Sequence, residues 1–175
     1  MKRFNVYNPL HLFALVAAIC YLLAFVGCRE PTNERLIYVC SLSDMILQKL
    51  VFVTGKSMIK CVYGTEFDVT KRTVQATGLN DGDEVISVAP IIDERNIVLQ
   101  TKAGYFLKFA LDEIPLKKKG AVGVRGMKLV GADVVEAAYF LKNGIEQNAK
   151  INEKTIELNK LKLGKRDTKG TKVRI

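Results

Sequence analysis

The chain has 175 residues and a net charge of +9, with 27 lysines and arginines against 18 aspartates and glutamates. Residues 49–175 hold most of this excess, a net charge of +8, which favours a polyanionic partner: nucleic acid first, an anionic membrane surface second. One histidine and four widely spaced cysteines, interpreted as free thiols, argue against a zinc site, and no metal or other cofactor is expected.

The first 28 residues contain an apolar segment, residues 10–28, in which His11 is the one markedly polar side chain. Nineteen such residues nearly span a bilayer as a helix and also suit the core of a signal peptide. We therefore expect an apolar N-terminal helix within residues 1–28. Three explanations stay open: a membrane anchor that contacts lipid through residues 10–28, an accidental start from a truncated or rearranged gene, and a buried helix.

Residues 29–48 are predicted to be a linker. Its first part is polar and contains Pro31, which is typical of a boundary between units. Leu36–Leu42 has the composition of a strand, whereas Met45–Leu50 fits either a short helix or the beginning of the next strand.

From Leu50 onward the pattern predicts β-structure throughout. Short apolar runs flank the glycine-containing turn 54–57, which indicates a hairpin, and a second hairpin of the same plan surrounds residues 102–104. A third strand follows each hairpin after an acidic turn, and a last hairpin turns at 152–154. The predicted strands are Leu50–Val53, Met58–Val62, Val85–Ala89, Ile97–Thr101, Tyr105–Phe109 and Val134–Leu141.

The two hairpin units are copies of one repeat. Thr54 corresponds to Thr101, an offset of 47 residues, and Asp83 to Asp133, an offset of 50, so the second copy carries a small insertion in its loop. The tail, residues 169–174, resembles residues 119–125 and suggests an incomplete third copy. Repeats of this length built from short strands predict an all-β, propeller-like array of about two to three blades.

Two basic loops are the candidate functional site. Pro115–Lys128 contains five basic residues and no acid, and Leu158–Ile175 contains seven basic residues with Asp167 as its one acid. If equivalent loops line one rim, their charges would neutralise phosphates at intervals, and glycines would let backbone amides approach. An ordinary solvated basic surface explains the same charges, and charge alone does not separate these interpretations. Asp112 and Glu113, expected on opposite faces of a strand, do not form a metal site.

One element of the second repeat resembles a known family. Thr101-Lys102-Ala103-Gly104, an aromatic strand, and then Gly123-Val124-Arg125-Gly126-Met127-Lys128-Leu129 are similar to the C-terminal DNA-wrapping domain found in the A subunits of DNA gyrase and topoisomerase IV. The resemblance covers residues 49–175 and implies a partial β-pinwheel. The gyrase motif Gln-Arg-Arg-Gly-Gly-Lys-Gly has its nearest match in residues 117–123, which lack the glutamine, the middle glycine and the late lysine. That departure puts supercoiling by this chain in doubt.

The resemblance implies duplex DNA binding without sequence preference, and bending or wrapping, as the C-terminal part of a type IIA topoisomerase A subunit. It implies a cytoplasmic, nucleoid-associated protein whose partners are DNA and further blades or topoisomerase subunits. The family's catalytic tyrosine domain has no counterpart here, so no catalytic residue is expected. The DNA-binding candidates are Lys71, Arg72, Lys117, Lys118, Lys119, Gly120, Gly123, Arg125, Lys128, Lys165, Arg166, Lys169, Lys172 and Arg174.

Two other functions remain open at this stage. A membrane-anchored basic β-domain would use the same face on anionic lipid or another acidic partner. A gene remnant without a function of its own would also fit, because two or three blades leave sheet flanks that a complete ring covers.

Overall fold

A computed structural model describes residues 3–5, 35–151 and 154–173 of the chain. The predicted apolar segment, residues 10–28, lies outside these ranges, and no helix within them is long and apolar enough to cross a membrane. At the start of the expected N-terminal helix, Arg3–Asn5 instead forms a short strand, β1.

The predicted strand Leu36–Leu42 is wrong, because residues 35–41 have no regular structure and a short helix, α1 (Leu42–Ile46), follows them. Ser41 begins this helix, since its hydroxyl accepts the backbone N–H of Asp44 at 3.1 Å. Met45 of α1 is 2% exposed and packs in the core of the first repeat. Of the two alternatives for Met45–Leu50, the helix therefore ends at Ile46 and the next strand begins at Lys49.

The six predicted strands and the last hairpin occur in the predicted order with shifted ends, and three further strands of two or three residues were not predicted. Short 3-10 turns, rather than longer helices, separate the strands in the described ranges. Asp112 and Glu113 lie in one of these turns, Leu111–Glu113, and not on a strand as predicted. The strands are β2 (Lys49–Thr54), β3 (Met58–Tyr63), β4 (Thr73–Gln75), β5 (Val85–Ile91), β6 (Glu94–Thr101), β7 (Tyr105–Ala110), β8 (Val124–Arg125), β9 (Val135–Lys142), β10 (Asn148–Ile151), β11 (Lys154–Glu157) and β12 (Thr171–Lys172).

These strands build two equivalent four-stranded sheets. The first has the order β5-β2-β3-β8 and the second β9-β6-β7-β12, with antiparallel neighbours throughout. In the middle strand β2, every residue from Leu50 to Thr54 is buried, which explains why its sequence is a continuous apolar run rather than an alternating one. Strand β10 pairs with β11 as the predicted last hairpin, and β1 pairs with β4. The predicted all-β, blade-like architecture is confirmed.

Each sheet is completed by a strand from the next repeat. Strand β8 follows β7 in the chain but pairs with β3 of the first sheet, so that Arg125 lies opposite Met58. Strand β12 pairs in the same way with β7, and Lys172 lies opposite Tyr105. Both residues of the second pair lie 47 positions after those of the first. The tail therefore aligns with the second loop at an offset of 47, and not at the offset of 50 that the match of Lys169 to Lys119 suggested.

The core lies between the repeats as well as within them. One buried cluster combines Val51 and Ile59 of the first sheet with Leu99 and Phe109 of the second, and Met127 from the connecting loop. A further cluster packs the second sheet against the β10–β11 hairpin. Neighbouring repeats thus bury each other's faces, as expected for a blade array.

Candidate nucleic-acid interface

Three basic loops occupy the same place in successive repeats. We name them the first basic loop (residues 68–78, after β3), the second (residues 115–128, after β7) and the third (residues 161–170, after β11). The second and third correspond to the loops predicted from sequence. The first carries Lys71 and Arg72, which are both exposed.

Backbone hydrogen bonds join the three loops into one continuous edge. The N–H of Gly78 in the first loop donates to the carbonyl of Ala121 in the second at 3.2 Å. Between the second and third loops, Asp167 N–H donates to the Gly126 carbonyl at 2.7 Å, and Lys128 N–H donates to the Thr168 carbonyl at 2.9 Å. The basic side chains of three repeats are therefore brought onto adjoining segments.

A glutamate from the preceding 3-10 turn holds each of the last two loops: Glu66 lies in the turn Gly64–Phe67, and Glu113 in the turn Leu111–Glu113. The Glu66 carboxylate accepts the N–H of Lys119 at 2.7 Å, and the Glu66 carbonyl accepts the Lys119 ammonium at 2.6 Å. One repeat later, Glu113 accepts the N–H of Arg166 at 2.8 Å and, through its carbonyl, the guanidinium Nε at 3.1 Å. Lys119 and Arg166 are half-buried for this reason, so part of their role is to fix the loops.

Arg125 and Asp167 form an ion pair between the second and third loops. The Arg125 Nε contacts one carboxylate oxygen of Asp167, and Nη2 donates to the other at 3.2 Å. The pair raises the pKa of Arg125 and lowers the pKa of Asp167. Arg125 is exposed, but an acid already compensates its charge.

Two lysines of the third repeat flank one aromatic ring. The ammonium of Lys169 lies 5.2 Å from the centre of the Tyr105 ring, and that of Lys172 lies 5.5 Å from it. Cation–π attraction therefore gathers two exposed charges beside β7. The sequence identified both lysines as candidates but placed Tyr105 only at the start of a predicted strand.

The two candidate glycines of the second loop differ in their surroundings. Gly123 has φ +103°, and a Cβ there would lie 2.6 Å from the carbonyl oxygen of Ile59, so the strand exchange itself requires glycine at this position. A Cβ on Gly120 would meet open space.

Of the other sequence-predicted residues, Arg174 lies outside the described ranges. Within those ranges, no group of three or more His, Cys, Asp or Glu side chains could hold a metal ion. The candidate side chains that are exposed and form no ion pair with an acid of the described ranges are Lys71, Arg72, Lys117, Lys118, Lys128, Lys165, Lys169 and Lys172.

Four-stranded blades that exchange an edge strand with the next repeat, and that carry basic loops at one edge, define a β-propeller domain of the pinwheel type. The family model described as "DNA gyrase C-terminal domain, beta-propeller" matches residues 48–92 and 95–141, more than half of the chain. The chain belongs to this family, as its sequence resemblance predicted.

Named relatives agree with that assignment. The DNA gyrase A subunit of Lawsonia intracellularis is 32% identical over 93 residues, covering 53% of this chain and 11% of the relative. The DNA topoisomerase 4 A subunit of Streptococcus pneumoniae is 33% identical over 116 residues, covering 62% of this chain and 14% of the relative. The chain thus spans only about a seventh or less of the length of these relatives.

Solved structures show the same fold. The C-terminal domain of DNA topoisomerase IV aligns with a TM-score of 0.65 at 22% identity, covering 71% of this chain and 40% of that one. The DNA gyrase A C-terminal domain aligns with a TM-score of 0.61 at 20% identity, covering 86% of this chain and 51% of that one.

Proposed function

We propose that this protein binds duplex DNA without sequence preference and bends it across the three basic loops. The observation that carries the proposal is the continuous edge itself, since backbone bonds tie together loops from three successive repeats and leave exposed lysines on each. Ammonium groups at intervals along such an edge suit a phosphate backbone, and bending lets one duplex reach all three loops.

The contacts we propose are mainly electrostatic. Lysines that neutralise phosphates release condensed counterions, so binding should weaken steeply with salt, and phosphate contacts carry no base information. We assign the principal contacts to the exposed lysines, and smaller ones to Lys119, Arg125 and Arg166, whose charged groups already have partners within the protein.

The wider setting is also a proposal. Relatives are named as A subunits of gyrase and topoisomerase 4, of which this chain spans a small part. We propose that the domain serves DNA topology as the C-terminal part of such a protein, beside further blades or other topoisomerase subunits, and that it works on the nucleoid. We assign it no strand-cutting step.

A salt titration tests the proposal. The full chain is titrated with a fluorescent duplex of mixed sequence from about 50 to about 200 mM salt, beside a Lys117→Ala/Lys118→Ala variant. Each lost phosphate contact should make the slope of log K against log salt shallower by about 0.9, so the double variant should lose about 2 in slope. The matched control, Lys102→Ala/Lys150→Ala, removes two exposed lysines outside the basic loops and should keep the wild-type slope.

Two results would count against DNA as the partner. One is the absence of binding by folded protein at the lowest salt. The other is tighter binding to anionic phospholipid vesicles than to duplex, which would favour the membrane-surface function. Energy transfer between dyes on the two duplex ends reports bending, and should rise on binding.

A further inference from the structure

A lysine is buried beneath the second basic loop. Lys60 lies in the middle of β3 with 1% of its surface exposed, and its ammonium is 5.4 Å from the centre of the Phe52 ring. Burying an ammonium is costly unless its three N–H groups find acceptors, so a lysine in this place needs a specific set of partners.

The acceptors are main-chain carbonyls of the second loop. Lys60 Nζ donates to the carbonyl of Ala121 at 2.7 Å, to that of Lys119 at 2.5 Å, and to that of Lys118 at 3.3 Å. These carbonyls belong to one tight turn, which is closed by a bond from Ala121 N–H to the Lys118 carbonyl at 3.0 Å. One side chain therefore gathers three carbonyls of a four-residue turn.

Glu66 holds the same turn through a backbone N–H group of the turn. Its carboxylate accepts the N–H of Lys119, so the turn is bound through a donor as well as through its carbonyls. With the carbonyls directed at Lys60, the exposed side chains of Lys117 and Lys118 extend from a fixed backbone.

The second repeat lacks this device. The position equivalent to Lys60, at the offset of 47, is Leu107. Its neighbour Lys108 reaches a single carbonyl of the next repeat, that of Asn159, at 2.7 Å. Of the two strand-exchange junctions in the described residues, only the one at the second basic loop has the three-carbonyl arrangement, so a blade can form without it.

We propose that Lys60 is a positioning residue for DNA binding: its buried ammonium turns the carbonyls of Lys118, Lys119 and Ala121 inward, and so presents the side chains of residues 117–118 to phosphates that Lys60 itself does not touch. This inference rests on the proposed function. It adds that one loop of the edge depends on the protonation of a residue beneath it.

Burial lowers the pKa of Lys60 to about 8, and the nearby Glu66 carboxylate partly opposes that shift. The charged side chain that acts on Lys60 is Glu66 on the 3-10 turn. Lys118 and Lys119 meet the ammonium through their backbone carbonyls, and its other neighbours, Phe52 of β2 and the backbone of Gly123, are uncharged. Above about pH 8 the amine loses one donor and its charge, the turn loosens, and DNA affinity falls.

Loss of the same proton from Lys60 should raise the free energy of unfolding, whereas it should lower DNA affinity. The pKa is lower in the folded state than the ordinary value of 10.5, so the unfolded chain binds more protons between about pH 8 and 10.5. The contribution of Lys60 to stability therefore increases with pH across this window. A residue with only a structural role would not make DNA affinity fall while stability rises.

The test compares the full-length wild type with Lys60→Met at pH 7 and pH 9.5, using the same fluorescent duplex. Wild-type affinity should fall about tenfold over this range, because a tenfold change corresponds to about 1.4 kcal/mol, comparable to one hydrogen bond from a charged group. Lys60→Met should bind about tenfold more weakly at pH 7 and show no such pH dependence. Lys108→Met is the matched control and should keep the wild-type pH profile.

A second readout needs no DNA. Trypsin should cut after Lys117 and Lys118 faster in Lys60→Met than in the wild type, with cleavage after exposed Lys71 as the internal reference. If the wild type binds no duplex, the proposed function fails, but the cleavage rates still test whether Lys60 fixes the backbone of the second basic loop. Unchanged cleavage, or wild-type affinity and pH profile in Lys60→Met, would overturn the inference. Should Lys60→Met not fold, flat wild-type affinity and cleavage ratios between pH 7 and 9.5 would overturn it as well.

Discussion

The two strand-exchange junctions form the same backbone bonds with different side chains. At the first junction, where β8 joins β3, Gly126 N–H donates to the Ser57 carbonyl at 2.7 Å. At the second, where β12 joins β7, Val173 N–H donates to the Gly104 carbonyl at 3.0 Å. Each residue of the second pair lies 47 positions after its counterpart in the first pair. The main chain therefore defines the blade, and the side chains at each junction are free to differ.

The differences concentrate in the first junction, which is the more polar one. It contains the buried Lys60 where the second has Leu107, and Ser57 with φ +63° where the second has Gly104. A leucine and a glycine satisfy the same backbone geometry without any polar side chain. The comparison indicates that the first junction carries interactions beyond those that hold the sheet together, and substitutions at matched positions can test this.

The largest expected effect concerns the glycine that both junctions share. Gly123 and Gly170 each have positive φ, and a Cβ on either would lie within 2.6 Å of a carbonyl oxygen on the neighbouring strand. Gly123→Ala should lower the free energy of unfolding by about 3 kcal/mol, because it adds backbone strain to a steric clash. Gly120→Ala, with open space around its Cβ, is the control and should stay within about 0.5 kcal/mol of wild type. Chemical denaturation measures both, and equal effects would contradict the requirement for glycine in the exchange.

The acidic turns before β5 and β9 should give the next largest effect. Asp83 accepts hydrogen bonds from the Thr54 hydroxyl at 2.6 Å and from two backbone N–H groups at 2.8 Å each. The equivalent Asp133 accepts two backbone N–H groups, at 2.9 and 3.0 Å. Asp83→Ala should cost about 2–3 kcal/mol and Asp133→Ala about 1–2 kcal/mol, in proportion to the donors left without an acceptor. Urea denaturation of the two variants decides the order, and a costlier Asp133→Ala would contradict this account.

The sequence predicted the longer strands, their order and the repeat because those depend on local pattern, but it missed the short strands β4, β8 and β12. Apolar runs as short as Leu50–Val53 and glycine-containing turns can be recognised in the sequence without knowing which distant residues they contact. The pairs Thr54–Thr101 and Asp83–Asp133 proved structurally equivalent, since each threonine hydroxyl accepts a backbone N–H of its own hairpin. The two basic loops identified in the sequence are joined to each other by backbone hydrogen bonds.

The strand exchange could not be predicted, because it depends on contacts between residues about 65 positions apart in the chain. For the same reason, nothing in the pattern distinguished Lys119, held by Glu66, from the exposed Lys118. Lys60 has the pattern of an ordinary polar residue in a strand, and only the packed structure shows it buried beneath the loop. The strand predicted over 36–42 is absent: residues 35–41 have no regular structure, and Ser41 caps a helix that begins at Leu42.

A smaller effect is expected at Ser57, where the first junction keeps a non-glycine residue with positive φ. The Ser57 hydroxyl accepts the buried N–H of Met127 at 2.8 Å, a bond that Gly104 has no side chain to make. Ser57→Ala loses this bond and retains the strain, at a cost of about 2 kcal/mol, whereas Ser57→Gly loses the bond but relieves the strain, at about 1 kcal/mol. Thermal unfolding of both should rank alanine below glycine, the reverse of the usual order, and the usual order would show that strain is negligible here.

The smallest effect concerns Asp167, the acid that neutralises a basic side chain at the first junction and has no counterpart, among the described residues, beside the equivalent lysine at the second. Asp167 neutralises Arg125 at the first junction, whereas the equivalent Lys172 at the second faces Tyr105. Asp167→Asn removes one negative charge and frees one guanidinium, and asparagine tolerates the φ of +65° found at this position.

Duplex affinity of Asp167→Asn should therefore rise about threefold, and the salt slope should steepen by about 0.9 for one added phosphate contact. Asp93→Asn is the matched control, because it breaks another exposed ion pair, to Lys142 at 2.8 Å, outside the basic loops. The same fluorescence titration measures both variants. If Asp93→Asn strengthened binding as much as Asp167→Asn, net charge alone would explain the gain, and Arg125 would have no specific place on the DNA-binding edge.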